Sequence, residues 1–250
     1  MKVYLTNLNE SWIVDRLRHE WYQHNSSIST ESIKEADIVW IVAPWLWKNI
    51  KKKYLRDKKV VCSIYHIEEK DFEQKQIKEF NKRDSFVDLY HVISLKTKKE
   101  LEKLTDKEII YIPFWSDQNT WFKIDDKDNL RNKYGLPLEA YIIGSFQRDT
   151  EGSDLKSPKL IKGPDRLIQI IESKNKEFNK VFILLSGKRR QYVIKELENL
   201  NIDYKYFEMV NTDQLNELYN CLDLYVVASR VEGGPQAIIE CALSKTPIIS

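Results

Sequence analysis

Short, uninterrupted apolar runs alternate with amphipathic segments rich in Lys and Glu along most of this chain, and that alternation restricts the fold more than any other feature. A strand with one wet face shows polar residues at every second position; these runs do not, so both faces are covered, as in a parallel sheet flanked by helices. Lys2 to Thr6 is a first short strand, and Glu10 to His24 follows as a helix carrying Trp12, Ile13, Leu17, Glu20 and Trp21. ADIVWIVAPW from Ala36 and KKVVCSIYHIEE from Lys58 are further buried strands, and LYHVISL from Leu89 to Leu95 is another. TKKELEKL comes next, with Thr97 and Glu100 at capping-box spacing. The pattern breaks between Ile109 and Leu138, where two prolines, a charge cluster and scattered aromatics suit an inter-domain connection. It then resumes as AYIIGSF, GPDRLIQIIES with Pro164 near the first helical position, KVFILLSG, RRQYVIKELENL, YKYFEMV, TDQLNELYNCL with Thr212 as N-cap, and DLYVVAS. The expected class is α/β, with two Rossmann-like doubly wound parallel-sheet domains over residues 1–118 and 119–250.

Forty Lys and Arg nearly balance thirty-eight Asp and Glu, for a net charge of +2. No global field therefore favours nucleic acid or an anionic bilayer, and any basic patch must be local. Cys62, Cys221 and Cys241 are far apart and odd in number, which suits small buried apolar residues in a reducing compartment. The N-terminus lacks a signal-peptide core and no apolar run reaches the roughly 18 residues of a membrane span, so a cytoplasmic protein is expected.

The most informative stretch runs from Val226 to Ser250, VVASRVEGGPQAIIECALSKTPIIS, and reads as strand, loop, helix. Pro235 suits the first helical position, and Gly233 and Gly234 let backbone approach a ligand closely. The free N–H groups and positive dipole end of such a helix suit a phosphate. Glu232 and Glu240 bracket this turn; alternatively, one is a loop charge and the other a surface helix residue. Two earlier strand ends are also loaded. Gly144 closes a strand before a loop with Arg148, Lys156, Lys159 and Lys162, and Gly187 precedes Lys188, Arg189 and Arg190. Ligands of open parallel sheets bind outside the carboxyl ends of the strands. Cations, glycines and carboxylates on three such ends suit a diphosphate joined to hydroxyl-bearing groups.

The spaced pair Glu232-x7-Glu240 in a strand–EGxP–helix setting, with DQLNELYNCLDLYVVASR before it and ALSKTPIIS after it, resembles the donor domain of the retaining glycosyltransferases of family 4, which have the GT-B fold. The likeness extends upstream through FILLSG and GSFQ…KGPDRLIQII to VISLKTKKEL…IIYIPFWSDQNTWF, roughly Leu89 to Ser250; the first 88 residues match only as a Rossmann-like half. It implies two domains facing a cleft and transfer of a sugar from a nucleoside-diphosphate sugar to an acceptor hydroxyl with retention, in glycan or polysaccharide biosynthesis. Glu240 would accept from the ribose and Glu232 would contact the transferred sugar. Gly233, Gly234, Pro235 and Gln236 would line sugar and distal phosphate. Arg148 and Lys162 would hold the diphosphate, with Gly144, Lys188 and Arg189 around the donor. His66 matches a position where the family often has a histidine facing the sugar; a structural histidine is the other reading. No metal or other cofactor is implied. The acceptor would be a glycan, a lipid-linked group or a small molecule, with peripheral membrane contact left open and no nucleic acid.

The sequence departs from the family pattern in three ways. Ser145 stands where an arginine usually follows the strand glycine, so either Arg148 fills that role or none does. No Gly-Gly loop follows the first strand. The chain stops soon after the glutamate helix, where family members continue through further strand–helix units, so a fragment is expected. Three rivals follow: a non-catalytic nucleotide- or sugar-binding module of the same fold, a GT-B epimerase or phosphorylase, and a nucleic-acid binder, which the balanced charge disfavours.

Overall fold

The computed structural model describes residues 1–7, 13–67, 73–152 and 155–250. Glu10 and Trp12, assigned above to the first helix, and Glu68 and Glu69, at the end of the third apolar run, lie outside the described residues. Two compact units result, Met1–Phe114 and Trp115–Ser250.

The first unit has a parallel sheet in the order β1 (Val3–Leu5), β2 (Ile38–Ile41), β3 (Lys59–Ile64), β4 (Leu89–Val92), β5 (Glu108–Tyr111). Helices α1 (Ile13–His24), α2 (Lys52–Asp57), α3 (Gln74–Asp84) and α4 (Leu95–Leu101) connect the strands. The strand order looks singly wound, but Ser29 also bridges Val3 in parallel, and Thr30 N donates to Val3 O at 3.0 Å. Asp37 N and Ile38 N bond instead to Lys2 O. Successive carbonyls of a strand point to opposite edges, so Ser29 lies on the edge of β1 away from β2. The chain thus steps outward from β1, returns past it, and continues the other way: a doubly wound sheet whose second strand has shrunk to one bridge. Among the core side chains are Leu5, Val39, Ile41, Val60, Tyr90 and Val92, all 0% exposed.

The second unit adds α5 (Lys127–Lys133), β6 (Tyr141–Ser145), α6 (Pro164–Glu177), β7 (Val181–Ser186), α7 (Gln191–Asn199), β8 (Tyr204–Phe207), α8 (Thr212–Asn220), β9 (Leu224–Val226), α9 (Gln236–Ser244) and β10 (Ile248–Ile249). Its parallel sheet runs β10-β9-β6-β7-β8, so the direction of winding reverses between β6 and β9. Ile142, Leu184 and Tyr225 pack into one apolar cluster with Leu218 and Cys241; Ile143, Ile183 and Leu224 pack into another with Leu167, Ile171 and Val193. Alternate strand residues therefore enter two different cores, which is why the strands carry no polar face in sequence.

Several sequence expectations shift. The run from Ala36 is strand only to Ile41, and Pro44–Asn49 is a 3₁₀ helix, because proline cannot donate to the ladder. The Ile109–Leu138 connection contains β5 and α5, and Trp121 within it is buried against Tyr219. Asn220 pins that stretch to α8, accepting from Ile124 N (2.8 Å) and donating to Phe122 O (3.0 Å). Helix caps also move. Ser94, not Thr97, caps α4, accepting from Thr97 N at 3.1 Å, while the Thr97 hydroxyl is spent on Tyr65 O. Asn211, not Thr212, caps α8 through a full capping box with Gln214. Pro235 is the N-cap of α9 rather than its first helical residue, with ψ 130.

Candidate functional site

In a doubly wound sheet the loops diverge where the winding reverses, leaving a crevice beyond the strand ends. Here the loops following β9, β6 and β7 lie side by side at the C-terminal edge of the second sheet. The loop after β6 reaches back toward β9. Gly163 makes this approach possible: it has φ +63, and a Cβ there would stand 1.9 Å from Ala228 O. Arg230 N donates to Ile161 O at 2.8 Å, and the Arg230 guanidinium grips Asp165 with two bonds of 2.8 and 2.5 Å. That charge-assisted bond holds the Asp165 carboxyl below the usual carboxylate range.

This stapling sets Lys162 beside the glutamate loop, its Nζ 2.5 Å from Glu232 Oε1. Ser229 Oγ donates to the same oxygen at 2.7 Å, and Gln147 Nε2 donates to Lys162 O at 3.1 Å. Lys162 and Glu232 keep 29% and 20% of their side-chain surface exposed, so the pair is partly desolvated yet reachable. A half-buried ammonium with a movable carboxylate partner can accept an anionic ligand without leaving a bare buried charge. Gln147 and Ser229 were not singled out from the sequence; neither stands in a recognisable spacing with Glu232.

Glu240 is buried at 4% exposure, which removes its reading as a surface helix residue. Tyr219 Oη donates to its Oε2 at 2.7 Å. Burial first, then the Glu240 charge, push the Tyr219 phenol well above its ordinary value, so it stays a donor. Gly234 has φ +144, and the turn at Gly233 and Gly234 leads into Pro235 and Gln236 at the start of α9. Gly144 lies inside β6 rather than closing it. Leu222 Cδ1 would stand 2.3 Å from a Cβ at Gly144, so its lack of a side chain serves packing.

Among the expected cations, Arg148 and Lys188 are exposed and Arg189 is half-buried in a left-handed turn with φ +61. Arg190, grouped with them in the sequence reading, is not a loop cation: it is fully buried. Its Nη2 donates to Ser145 Oγ at 3.1 Å, and its Nε lies 3.3 Å from Asp149 Oδ2. Burial pushes the Asp149 carboxyl up to about 6 against the pull of Arg190. Ser145 is thus held by a guanidinium from the neighbouring strand end. His66 belongs to the first unit, where it lines a cavity of about 310 Å³.

Comparison with solved structures identifies the architecture. HepE of Anabaena in complex with UDP and glucose superposes with TM-score 0.67 at 14% identity, over 100% of this chain and 80% of that one. WaaG, a glycosyltransferase involved in lipopolysaccharide biosynthesis, gives TM-score 0.68 at 12% identity, over 99% and 80%. Sucrose-phosphate synthase from Thermosynechococcus elongatus gives 0.67 at 12%, over 97% and 62%. The two α/β units therefore make up a GT-B fold. Residues 156–250, which contain Lys162, Glu232 and Glu240, match the family described as glycosyl transferases group 1. A comparison with curated proteins found no match. Among the described residues no helix is long and apolar enough to cross a membrane.

Proposed function

We propose that this chain transfers a glycosyl group from a nucleoside-diphosphate sugar to an acceptor hydroxyl with retention of configuration. The observation that carries the reading is the Lys162–Glu232–Ser229 cluster at the winding reversal of a segment that matches the glycosyl transferases group 1. UDP is the first donor nucleotide to test, because HepE was crystallised with UDP-glucose.

In this reading Lys162 moves from Glu232 to the donor diphosphate and, with Arg148, takes up the charge that grows on the leaving group. Stabilising that charge is the main electrostatic demand of the step. Glu232, released from Lys162, accepts from hydroxyls of the sugar, and Glu240 accepts from the ribose. The C1–O bond to the distal phosphate breaks, the acceptor oxygen bonds C1 on the same face, and its proton passes to the departing phosphate oxygen. No side chain then has to act as a dedicated base, and these cations take the place of a metal ion.

The test is binding and turnover with UDP-, GDP- and ADP-linked glucose. Lys162→Ala should lower kcat by roughly 10²- to 10³-fold, the scale of losing one charge-stabilising donor. Glu232→Gln should reduce turnover more than nucleotide affinity. Lys162→Ala with unchanged turnover sinks the mechanism. The rival reading, a non-catalytic binding module, draws on Ser145, whose hydroxyl is occupied by Arg190. Donor binding with neither transfer nor slow hydrolysis selects that module.

A further inference from the structure

Arg131 and Arg190 are both buried in the second unit, and they are buried differently. Arg131, beside the N-terminal ends of β6 and β9, has a partner for every nitrogen: Nε donates to Cys221 O at 3.0 Å, Nη1 to Leu138 O at 3.0 Å and Nη2 to Asp223 Oδ2 at 2.6 Å. Arg190, past the C-terminal end of β7, donates from Nη2 to Ser145 Oγ. Its Nε and Nη1 make no hydrogen bond among the described residues, and neither does Asp149 Oδ2, which lies 3.3 Å from Nε. The side chains of this ion pair are 0% and 3% exposed, and burial pushes the Asp149 carboxyl up even beside the guanidinium. Buried polar atoms are almost always paired, and a buried ion pair this thinly satisfied costs stability relative to apolar side chains. Arg131 serves the fold. Arg190 needs a different reason to be there, and a perturbed charge pair in a ligand crevice points to the ligand.

Each member of the pair is the next residue after a cation of the crevice. Arg148 precedes Asp149 on the loop after β6, and Lys188 and Arg189 precede Arg190 on the loop after β7. Backbone bonds join the same two loops: Arg189 O accepts from Asp149 N at 3.0 Å, from Thr150 N at 3.2 Å and from Thr150 Oγ1 at 2.8 Å. Those bonds hold Arg189 at φ +61, a left-handed conformation that a residue with a side chain resists. Strain of this kind gathers where a ligand is gripped. Asp149 Oδ1 also accepts from Tyr192 N at 3.3 Å, which ties the first turn of α7 to the same point. The rigid fork of Arg190 therefore spans the end of β6, the loop beyond it and its own loop, a reach that a single-point ammonium lacks.

We infer that Arg190 is a positioning residue: through Ser145 and Asp149 it clasps the loop after β6 to the loop after β7 and sets the spacing of Arg148, Lys188 and Arg189 for a diphosphate. Naming the ligand a diphosphate rests on the proposed transferase function; the clasp itself does not. The double variant Arg190→Met/Asp149→Asn removes one charge of each sign, so the field in the crevice keeps its net value and a loss of affinity reports geometry. The amide oxygen it introduces can still accept from Tyr192 N. Replacing a buried ion pair by neutral groups of similar volume is often neutral or stabilising, so this variant should fold with a Tm at or above the parental value. Ser145→Ala, which touches no charge, is the second variant.

Two measurements are made on the full chain: amide hydrogen exchange, and calorimetric titration with UDP, inorganic pyrophosphate and uridine. In the double variant the Asp149 and Thr150 amides should exchange at least about tenfold faster while those of β6 and β7 keep their protection, the signature of a local opening. UDP and pyrophosphate affinity should fall about 10- to 100-fold, the scale of one charge-assisted hydrogen bond, and uridine affinity should stay within about twofold. Ser145→Ala should shift UDP and pyrophosphate the same way by about threefold. Unchanged exchange at Asp149 and Thr150 overturns the clasp. Unchanged UDP and pyrophosphate affinity in both variants overturns the positioning role, as does a loss of uridine affinity equal to that of UDP, which would report general damage to the fold. A parent protein that binds neither UDP nor pyrophosphate sinks the diphosphate-donor reading, and the exchange result then decides the clasp alone.

Discussion

Replacing Gly163 by alanine tests the site through its most constrained atom. The residue has φ +63, and the added methyl would stand 1.9 Å from Ala228 O, a backbone atom that cannot rotate away. Carbon–oxygen contacts settle at about 3.3–3.6 Å, so the loop must retreat by more than about 1 Å. Left-handed backbone costs a non-glycine residue about 1–2 kcal/mol, and overpacking adds about 1–3 kcal/mol. The loss should total about 2–5 kcal/mol, a Tm drop of roughly 5–15 °C for a unit of this size. The same retreat opens the 2.8 Å bond from Arg230 N to Ile161 O and carries Lys162 away from Glu232. Misplacement by 1 Å at a reacting centre is worth about 10²-fold in rate. Urea unfolding gives the stability, and calorimetric titration with UDP gives the affinity. A Gly163→Ala protein that keeps the parental midpoint and UDP affinity would refute the claim that this contact positions Lys162.

Four further substitutions test other buried groups. Tyr219→Phe removes the 2.7 Å donor to buried Glu240 and should cost about 1–3 kcal/mol, while Glu240→Ala should weaken UDP binding; unchanged UDP affinity counts against the ribose contact. Asp149 holds its proton up to about 6 in the folded state but only to about 3.8 when unfolded. Between those values the native state binds more protons, so stability falls as pH rises from 4 to 6, and Asp149→Asn should flatten that slope in pH-dependent urea melts. His91 has the opposite sign. Burial lowers its pKa, Ser63 Oγ lies 2.9 Å from its Nδ1 and Ile112 O lies 2.8 Å from its Nε2. Unfolding frees it to take a proton, so its contribution is intact above the unfolded value of 6.5 and is lost as pH falls below it; His91→Gln should remove that part of the acid sensitivity.

Strand and helix content was readable because it depends on neighbours along the chain. Continuous apolar runs such as KVFILLS report burial on both faces directly, and Ile142 and Ile143 do enter opposite cores. Helix starts were readable to within a residue or so, since several adjacent Ser, Thr and Asn can each supply the capping oxygen; Asn211 and Ser94 took the place of Thr212 and Thr97. Glu232 and Lys162 could be marked as charged residues on strand ends. Their contact could not, because it spans 70 residues and depends on the winding reversal between β6 and β9. The same holds for Gly163, whose meaning lies in the Ala228 carbonyl opposite it, and for Arg190, which has the sequence of a loop cation and the surroundings of a core residue. Local patterning determined which segments are strands and helices. Only the packed sheet decided which charges are desolvated and paired, because that depends on residues distant in sequence that folding brings within a few ångströms.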